Sequence, residues 1–201
     1  MKPQKKLFVC TVILLCAMFL CLNTSCANNK KMDNAENNKQ DDTIYINDMH
    51  INDFKFIVSN VHLNHEQFKT NNSWNREICS PVLDTDLKSR FRTILNNAAT
   101  MEPNFDGKYR IITYGAGAGT TGYFILDLNT GSIYESNSFS YFGMDYNVIS
   151  SLLIINPPME VIKYWESEHN VIPGWVQVEY LAIMNGKPKT LLLINPASVA
   201  K

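Results

Sequence analysis

The sequence contains few residues that could form disulfide bonds within the fold or bind a polyanion. Four of its five cysteines lie within the first 26 residues, so Cys79 stands alone in the remainder. A lone thiol excludes an internal disulfide there, and the fold must rest on a hydrophobic core. No basic run outside the first six residues is longer than Lys30-Lys31, and the formal net charge is −1. Because nucleic acids are bound through clustered Lys and Arg, we predict no nucleic-acid partner.

Signatures of catalysis and metal binding are missing as well. The sequence has no G-x-S-x-G nucleophile motif, and the neighbours of Cys79 do not match those of a cysteine protease. His62 and His65 are three residues apart, but a metal site requires ligands that converge from a defined element. Solvated loop histidines are therefore the favoured interpretation. We predict no catalytic residue, no metal site and no cofactor, and a non-enzymatic role is favoured.

The N-terminal segment has the layout of a secretion signal that ends in a cysteine. It opens with three lysines, Lys2, Lys5 and Lys6. The apolar run over residues 7–22 holds 16 residues, and Asn-Thr-Ser-Cys follows it. A helix that spans a bilayer needs roughly 20 apolar residues, so a cleaved signal is the better interpretation. The segment resembles a bacterial lipoprotein signal, in which Cys26 is lipidated and becomes the mature N-terminus.

Two other cysteines compete with Cys26 for this role. Cys16 and Cys21 are each preceded by a bulky leucine, where a small residue is expected. The resemblance thus implies a signal peptide over residues 1–25 and an acyl anchor such as palmitate on Cys26. Ala27 is not the aspartate associated with inner-membrane retention, which by analogy favours the outer membrane of the bacterial cell envelope.

The rest of the chain divides into a tether and one domain. Residues 26–42 are rich in asparagine and charge and contain no aromatic residue. Such a segment cannot offset its ordering entropy by apolar burial, so we predict a flexible, lipidated tether. Residues 43–201 are predicted to form a single α+β domain, with a mainly antiparallel sheet and one main helix.

The helix is predicted over about residues 86–98. Asp84 is its N-cap candidate, and an apolar face recurs at spacings of three and four before Pro103 stops the pattern. Tight hairpins are predicted at residues 129–131 and at Asn185-Gly186. Strands are predicted at residues 44–46, 54–58, 109–114, 122–128, 132–135, 152–155, 175–184 and 189–194.

Residues 115–122 form a glycine-rich segment that superficially matches G-x-G-x-x-G. A dinucleotide site requires a helix after the glycines to hold the pyrophosphate, whereas residues 123–128 have the pattern of a strand. We therefore reject a dinucleotide site and favour a flexible connection between strands. A functional alternative remains, because glycine lets backbone amides approach a ligand closely.

Two segments are candidates for ligand contact. Tyr114 and Tyr123 flank the glycines and could supply a contact surface. A second segment, residues 138–146, mixes aromatic rings with small polar neighbours, which suits protein or glycan contacts, although core packing is the favoured alternative for its rings. The candidate binding residues are Tyr114, Gly117, Gly119, Tyr123, Tyr141 and Phe142.

Four short motifs carry a resemblance to a known group of sequences. They are the N-F-D-G-K-Y of residues 104–109, the glycine-rich segment, the D-L-N-T-G of residues 127–131 and the L-I-I-N-P of residues 153–157. Together they resemble an uncharacterised family of small exported bacterial proteins. In that family the glycine-rich loop often carries two cysteines, where this sequence has Ala116 and Thr120, so a redox role is not implied. No activity comes with the resemblance.

These observations favour a cell-envelope lipoprotein that binds a partner without catalysis. The membrane is contacted through the lipid anchor, and an envelope protein, a glycan or a small polar ligand is the expected partner. The alternatives are an envelope hydrolase whose site is not readable from the sequence, and an enzyme inhibitor or immunity protein. A His or a pair of carboxylates in a concave pocket would indicate the hydrolase, and a protruding loop would indicate the inhibitor.

Overall fold

The computed structural model describes residues 44–46, 51–168 and 172–196. Within these ranges the chain forms eight strands and four helices. In chain order they are β1 (Ile44–Ile46), α1 (Ile51–Asn60), α2 (Thr85–Arg90), α3 (Arg92–Ala99), β2 (Tyr109–Gly117), β3 (Thr120–Asp127), β4 (Ile133–Glu135), β5 (Met144–Asp145), β6 (Leu152–Ile155), α4 (Pro158–Glu168), β7 (Val178–Met184) and β8 (Lys187–Ile194). The predicted fold class, α+β with mainly antiparallel sheet, is confirmed.

The strands form two sheets that share one core cluster. The larger sheet has the order β1-β8-β7-β6-β5, and all its pairs are antiparallel except β1 with β8. The smaller sheet, β2-β3-β4, is antiparallel throughout. Buried residues from both sheets pack together: Phe105, Tyr109, Ile111, Tyr123, Ile125, Leu153, Ile155 and Leu181. The two sheets therefore lie face to face.

Helices cover the outer face of each sheet. Phe54 of α1 and Val161 of α4 pack with Leu152 and Ile154 of the larger sheet. Leu95 of α3 belongs to a separate cluster on the smaller sheet. The layers thus run helix, sheet, sheet, helix. Both faces of β6 are covered, which explains why all four of its residues are apolar and buried, as a central strand requires.

The predicted strand at residues 54–58 is wrong, because this segment lies in α1. Phe54 is buried and Ile57, Val58 and Val61 are partly buried, which is the i, i+3, i+4, i+7 spacing of a helix. In a strand Phe54 and Phe56 would share one face, but the Phe56 side chain is 54% exposed. The second unpredicted helix, α4, begins with proline, a residue that suits a first helical turn.

The helix predicted over 86–98 is two helices with a break at Phe91. Asp84 is the N-cap as expected, since its Oδ1 accepts from Leu87 N at 2.9 Å. Phe91 has φ −127°, and its ring contacts Tyr114 and Phe124 at centroid distances of 4.7 and 4.9 Å. The helix therefore breaks where the Phe91 ring packs against the smaller sheet. The periodicity of apolar residues does not predict such a break.

Both predicted hairpins are confirmed. Asn185 and Gly186 join β7 to β8 with φ of 52° and 76°, the positive values that a two-residue turn of this type requires. Gly131 lies between β3 and β4 with φ 74°. The predicted strand at 44–46 is β1. The predicted signal peptide and tether, residues 1–42, lie outside the described residues.

The N-F-D-G-K-Y motif has a structural role in the fold. Asn104 binds both backbone groups of Ile111, accepting from its N at 2.7 Å and donating to its carbonyl at 3.1 Å. Asp106 is fully buried and accepts from Asn72 Nδ2 at 3.0 Å. Burial raises the pKa of the Asp106 carboxyl. The motif therefore ties residues 104–111 to the segment around Asn72.

The D-L-N-T-G motif clamps the same segment from a second point. Asn129 Oδ1 accepts from Asn75 N at 2.9 Å, and its Nδ2 donates to the Ser73 carbonyl at 3.0 Å. Asp127 Oδ2 forms an ion pair with Lys108 Nζ at 2.9 Å, which links the two motifs. The two motifs thus bind the segment of residues 72–75 through side-chain hydrogen bonds.

Candidate ligand-binding cleft

The glycine-rich segment is the tip of the β2–β3 hairpin, so the flexible connection predicted there is instead a tight turn. β2 continues to Gly117 and β3 begins at Thr120, leaving Ala118 and Gly119 as the turn, with φ of 48° and 76°. Gly117 also has positive φ, 92°, next to a bulge in the pairing. A strand follows the glycines, as the sequence predicts.

Tyr114 and Tyr123 lie on opposite faces of this hairpin, so the expected shared contact surface is wrong. Tyr114 packs against Phe91 and Phe124 on the helix-covered face. Tyr123 is 1% exposed and lies between the sheets. The physical reason is the strand register: Tyr114 pairs with Gly122, so Tyr123 is one residue out of phase and points to the other face.

The aromatic segment is held by one buried side chain, Asn156. Its Oδ1 accepts from Tyr141 N at 2.7 Å and from Phe142 N at 2.9 Å. Its Nδ2 donates to the carbonyls of Phe139 and Gln177 at 3.3 and 2.8 Å. All four hydrogen-bonding positions of the amide are therefore used. Asn156 joins the aromatic segment to the approach to β7, a role that the sequence analysis missed.

The aromatic rings of this region differ in burial. Tyr141 and Phe142 are partly buried and pack against the core beneath α1 and α4. Phe139 and Trp175 are 46% and 52% exposed. Tyr141 contacts the Trp175 ring at a centroid distance of 5.6 Å. The rings thus form a gradient from core to solvent.

The hairpin tip lies beside the aromatic segment. Thr121 and Ser140 exchange two backbone hydrogen bonds, at 2.8 and 2.9 Å. A Cβ built on Gly119 would lie 3.5 Å from the Tyr141 ring. Of the sequence-predicted binding residues, Gly119, Tyr141 and Phe142 are therefore brought together, and Gly117 lies at the exposed tip above them.

Two adjoining clefts meet at Glu179 of β7. The larger, about 360 Å³, is walled by Phe139, Trp175 and the hairpin tip. The smaller, about 230 Å³, extends between the sheets and includes Tyr123. Glu179 lines both and is 5% exposed. In the sequence, Glu179 is an acid inside the apolar run V-E-Y-L-A-I-M.

Hydroxyl groups surround this carboxylate. Ser138 Oγ donates to Glu179 Oε2 at 2.6 Å, and Thr190 Oγ1 donates to Oε1. The Tyr123 hydroxyl is buried and interacts with the Ser136 side chain. Burial raises the pKa of Tyr123 above its usual range, so this hydroxyl stays protonated and can donate. The clefts therefore offer both acceptors and donors.

A Ser-His-Asp arrangement occurs elsewhere, at His65. Its Nδ1 lies 3.0 Å from Ser150 Oγ, and its Nε2 lies 3.3 Å from Asp145 Oδ1. His65 is thus not a solvated loop residue, which corrects the expectation, whereas His62 is exposed. Ser150 is 0% exposed and its Oγ accepts from Leu152 N at 3.1 Å. A buried hydroxyl cannot reach a substrate carbonyl, so we assign a structural role to this Ser-His-Asp arrangement.

The described part of the chain contains no group of three or more His, Cys, Asp or Glu side chains placed to hold a metal ion. None of its helices combines the length and apolar character that a membrane span requires.

No protein-family model matches the chain, and no curated protein or solved structure is significantly similar to it. The family resemblance therefore stays a prediction.

Proposed function

We propose that this protein is a cell-envelope lipoprotein whose domain binds a hydroxyl-rich ligand, such as a glycan unit, at the Glu179 clefts without catalysis. The observation that carries the proposal is the nearly buried carboxylate at the meeting point of two clefts. A carboxylate in that position is costly to bury unless it accepts hydrogen bonds, and two hydroxyls already orient it. Each oxygen retains acceptor capacity for a ligand hydroxyl.

The walls support the same ligand class. Exposed Phe139 and Trp175 offer flat apolar surfaces on which a sugar ring can pack. Asn137 and Gln177 add amide groups that both donate and accept. A ligand with many hydroxyls needs this mixture, since each hydroxyl is donor and acceptor at once. Sites of this kind combine an apolar wall with a few placed polar groups.

The inhibitor alternative also has an observation in its favour. Residues 115–119, at the tip of the β2–β3 hairpin, are all exposed. A projecting hairpin can enter the site of a partner enzyme. The two proposals differ at Glu179, because an inhibitor that uses only the tip would not depend on a carboxylate between the sheets.

We predict that Glu179→Gln lowers affinity for a bound saccharide about tenfold or more while the domain stays folded. The substitution keeps the volume but removes the charge that strengthens hydrogen bonds from ligand hydroxyls. An array of neutral mono- to tetrasaccharides identifies a binder, and calorimetry then compares the variants.

The matched control is Glu160→Gln, which makes the same chemical change at an exposed position of α4. It should leave saccharide affinity unchanged. Equal affinity of the Glu179→Gln and unaltered proteins for the same saccharide would refute the assignment of the site. Absence of any saccharide binder on the array would refute the ligand class.

We predict that Cys26→Ala abolishes incorporation of radiolabelled palmitate and releases the protein from the membrane or leaves it unprocessed. The acyl chains supply the anchor, because the apolar run that precedes Cys26 is too short to span well. Cys79→Ala is the control and should label normally. Unchanged labelling of the Cys26→Ala protein would instead place the lipid on Cys21 or Cys16.

A further inference from the structure

A second groove, separate from the Glu179 clefts, lies between α3 and β2, an edge strand of the smaller sheet. Its volume is about 730 Å³, which is typical of a small-molecule site. Three arginines from different elements line it: Arg90 in α2, Arg92 in α3 and Arg110 in β2. Its lining contains no aspartate or glutamate among the described residues. The groove is therefore locally basic in a chain of formal net charge −1.

Much of this positive charge is uncompensated. Arg92 is exposed, and no described residue forms an ion pair with it. Arg110 Nη1 donates to the Glu102 carbonyl, which orients the guanidinium without neutralising it. Arg90 contacts Asp86 at 3.1 Å, but both side chains are more than half exposed, at 57% and 64%. An exposed pair of this kind is weak and can give way to a ligand.

The groove also has an apolar side. Phe91, Ile94, Ala98 and Met101 line it, and Met101 is 47% exposed. The Arg90 guanidinium carbon lies 4.8 Å from the centroid of the Phe91 ring. Charged and apolar contacts are thus available to one ligand at the same time.

We propose that this groove binds a phosphate monoester that carries an apolar group. Arginine forks match the oxygens of phosphate and carboxylate alike. A phosphate monoester carries a charge of about −1.5 to −2 and three acceptor oxygens, whereas a carboxylate carries −1 and two oxygens, so the phosphate matches three guanidinium groups better in both charge and acceptor number. The apolar group packs against Phe91 and Met101.

The test is calorimetric titration of the full-length protein in neutral detergent with phenyl phosphate, inorganic phosphate, benzoate and phenol. We expect phenyl phosphate to bind about tenfold more tightly than inorganic phosphate or benzoate, and phenol to give no measurable binding. Affinity for phenyl phosphate should fall as salt is raised. Equal affinity for phenyl phosphate and phenol would overturn the proposal, because charge would then contribute nothing.

Variants locate the binding. Arg92→Gln should weaken phenyl phosphate about tenfold. Arg110→Lys, which keeps the charge but loses the fork, should weaken it several-fold. Lys163→Gln removes one positive charge, as Arg92→Gln does, but at an exposed position of α4. It should leave the affinity for phenyl phosphate unchanged. Binding that is unchanged in Arg92→Gln, or weakened equally in Lys163→Gln, would overturn the assignment of the groove. Circular dichroism verifies that each variant is folded.

Vesicles distinguish the source of the phosphate. If the natural ligand is a lipid headgroup, phosphatidylcholine vesicles that contain phosphatidic acid should retain the protein more than pure phosphatidylcholine does, and Arg92→Gln should remove the difference. If it is a free monoester, only phenyl phosphate should bind. Glu179→Gln should leave either result unchanged, so the proposals for this groove and for the Glu179 clefts are tested independently.

Discussion

Replacing Asn156 with leucine is expected to lower the free energy of unfolding by about 3–5 kcal/mol. The side chain is 1% exposed and satisfies four backbone groups, the N–H of Tyr141 and Phe142 and the carbonyls of Phe139 and Gln177. Leucine has similar volume but leaves these groups unpaired, at a cost of about 1–3 kcal/mol for each one that stays buried. Because a whole domain is stable by about 5–15 kcal/mol, the loss is a large fraction of the total.

Urea denaturation followed by tryptophan fluorescence measures the effect, since Trp175 packs against Tyr141 in the affected segment. Two further variants separate its causes. Asn156 has φ 53°, which glycine adopts more readily than leucine, so Asn156→Gly removes the hydrogen bonds without backbone strain. We expect Asn156→Gly to lose most of the unfolding free energy that Asn156→Leu loses. Asn96→Leu, on an exposed position of α3, should change stability little. A stable Asn156→Gly protein would show that strain, and not hydrogen bonding, dominates.

Replacing Gly107 with alanine is expected to destabilise the domain by about 3 kcal/mol or more. Gly107 has φ 69°, and an added Cβ would lie 1.9 Å from the carbonyl oxygen of Asn72. That oxygen belongs to the backbone, so it cannot rotate away as a side chain could. The segment that the two motifs clamp must therefore move, and the hydrogen bond between Asn72 and Asp106 is lost with it.

Gly186→Ala is the matched control for this substitution. Gly186 has a similar φ of 76°, but nothing lies within 4 Å of an added Cβ. It should lose only about 1 kcal/mol, the cost of a side chain in the left-handed region. Thermal unfolding of the two variants side by side measures the difference. Equal losses would mean that the close approach of Asn72 contributes nothing.

Local patterns were sufficient wherever neighbouring residues decide the conformation. Asn185-Gly186 supplies its own turn, and Asp84 caps α2 with its own side chain. The apolar run of β6 is buried on both faces, which its composition indicates. The same reasoning gave a wrong prediction for residues 54–58, because five residues with two phenylalanines fit both a strand and one face of a helix.

The candidate site was less accessible to sequence reasoning than the fold. The glycine-rich segment and the aromatic segment were identified, and they do lie side by side at Gly119 and Tyr141. Glu179 was missed, because an acid within a strand usually faces solvent, and only packing of the second sheet places it between layers. Arg90 and Arg92 are two positions apart, but Arg110 follows 18 positions after Arg92, so only the fold brings the three arginines to one groove.

The order of residues along the chain thus determined most of the strands, the hairpins, the α+β class and the prediction of a lipidated N-terminus. Tertiary structure alone decided which side chains meet. Asn156 reaches the backbone from Phe139 to Phe142 and at Gln177, and Glu179 meets Ser138 and Thr190, across separations of 11 to 41 residues. Strand conformation and turns arise from interactions within a few residues, whereas these contacts depend on how two sheets and four helices pack, which is a property of the whole described domain.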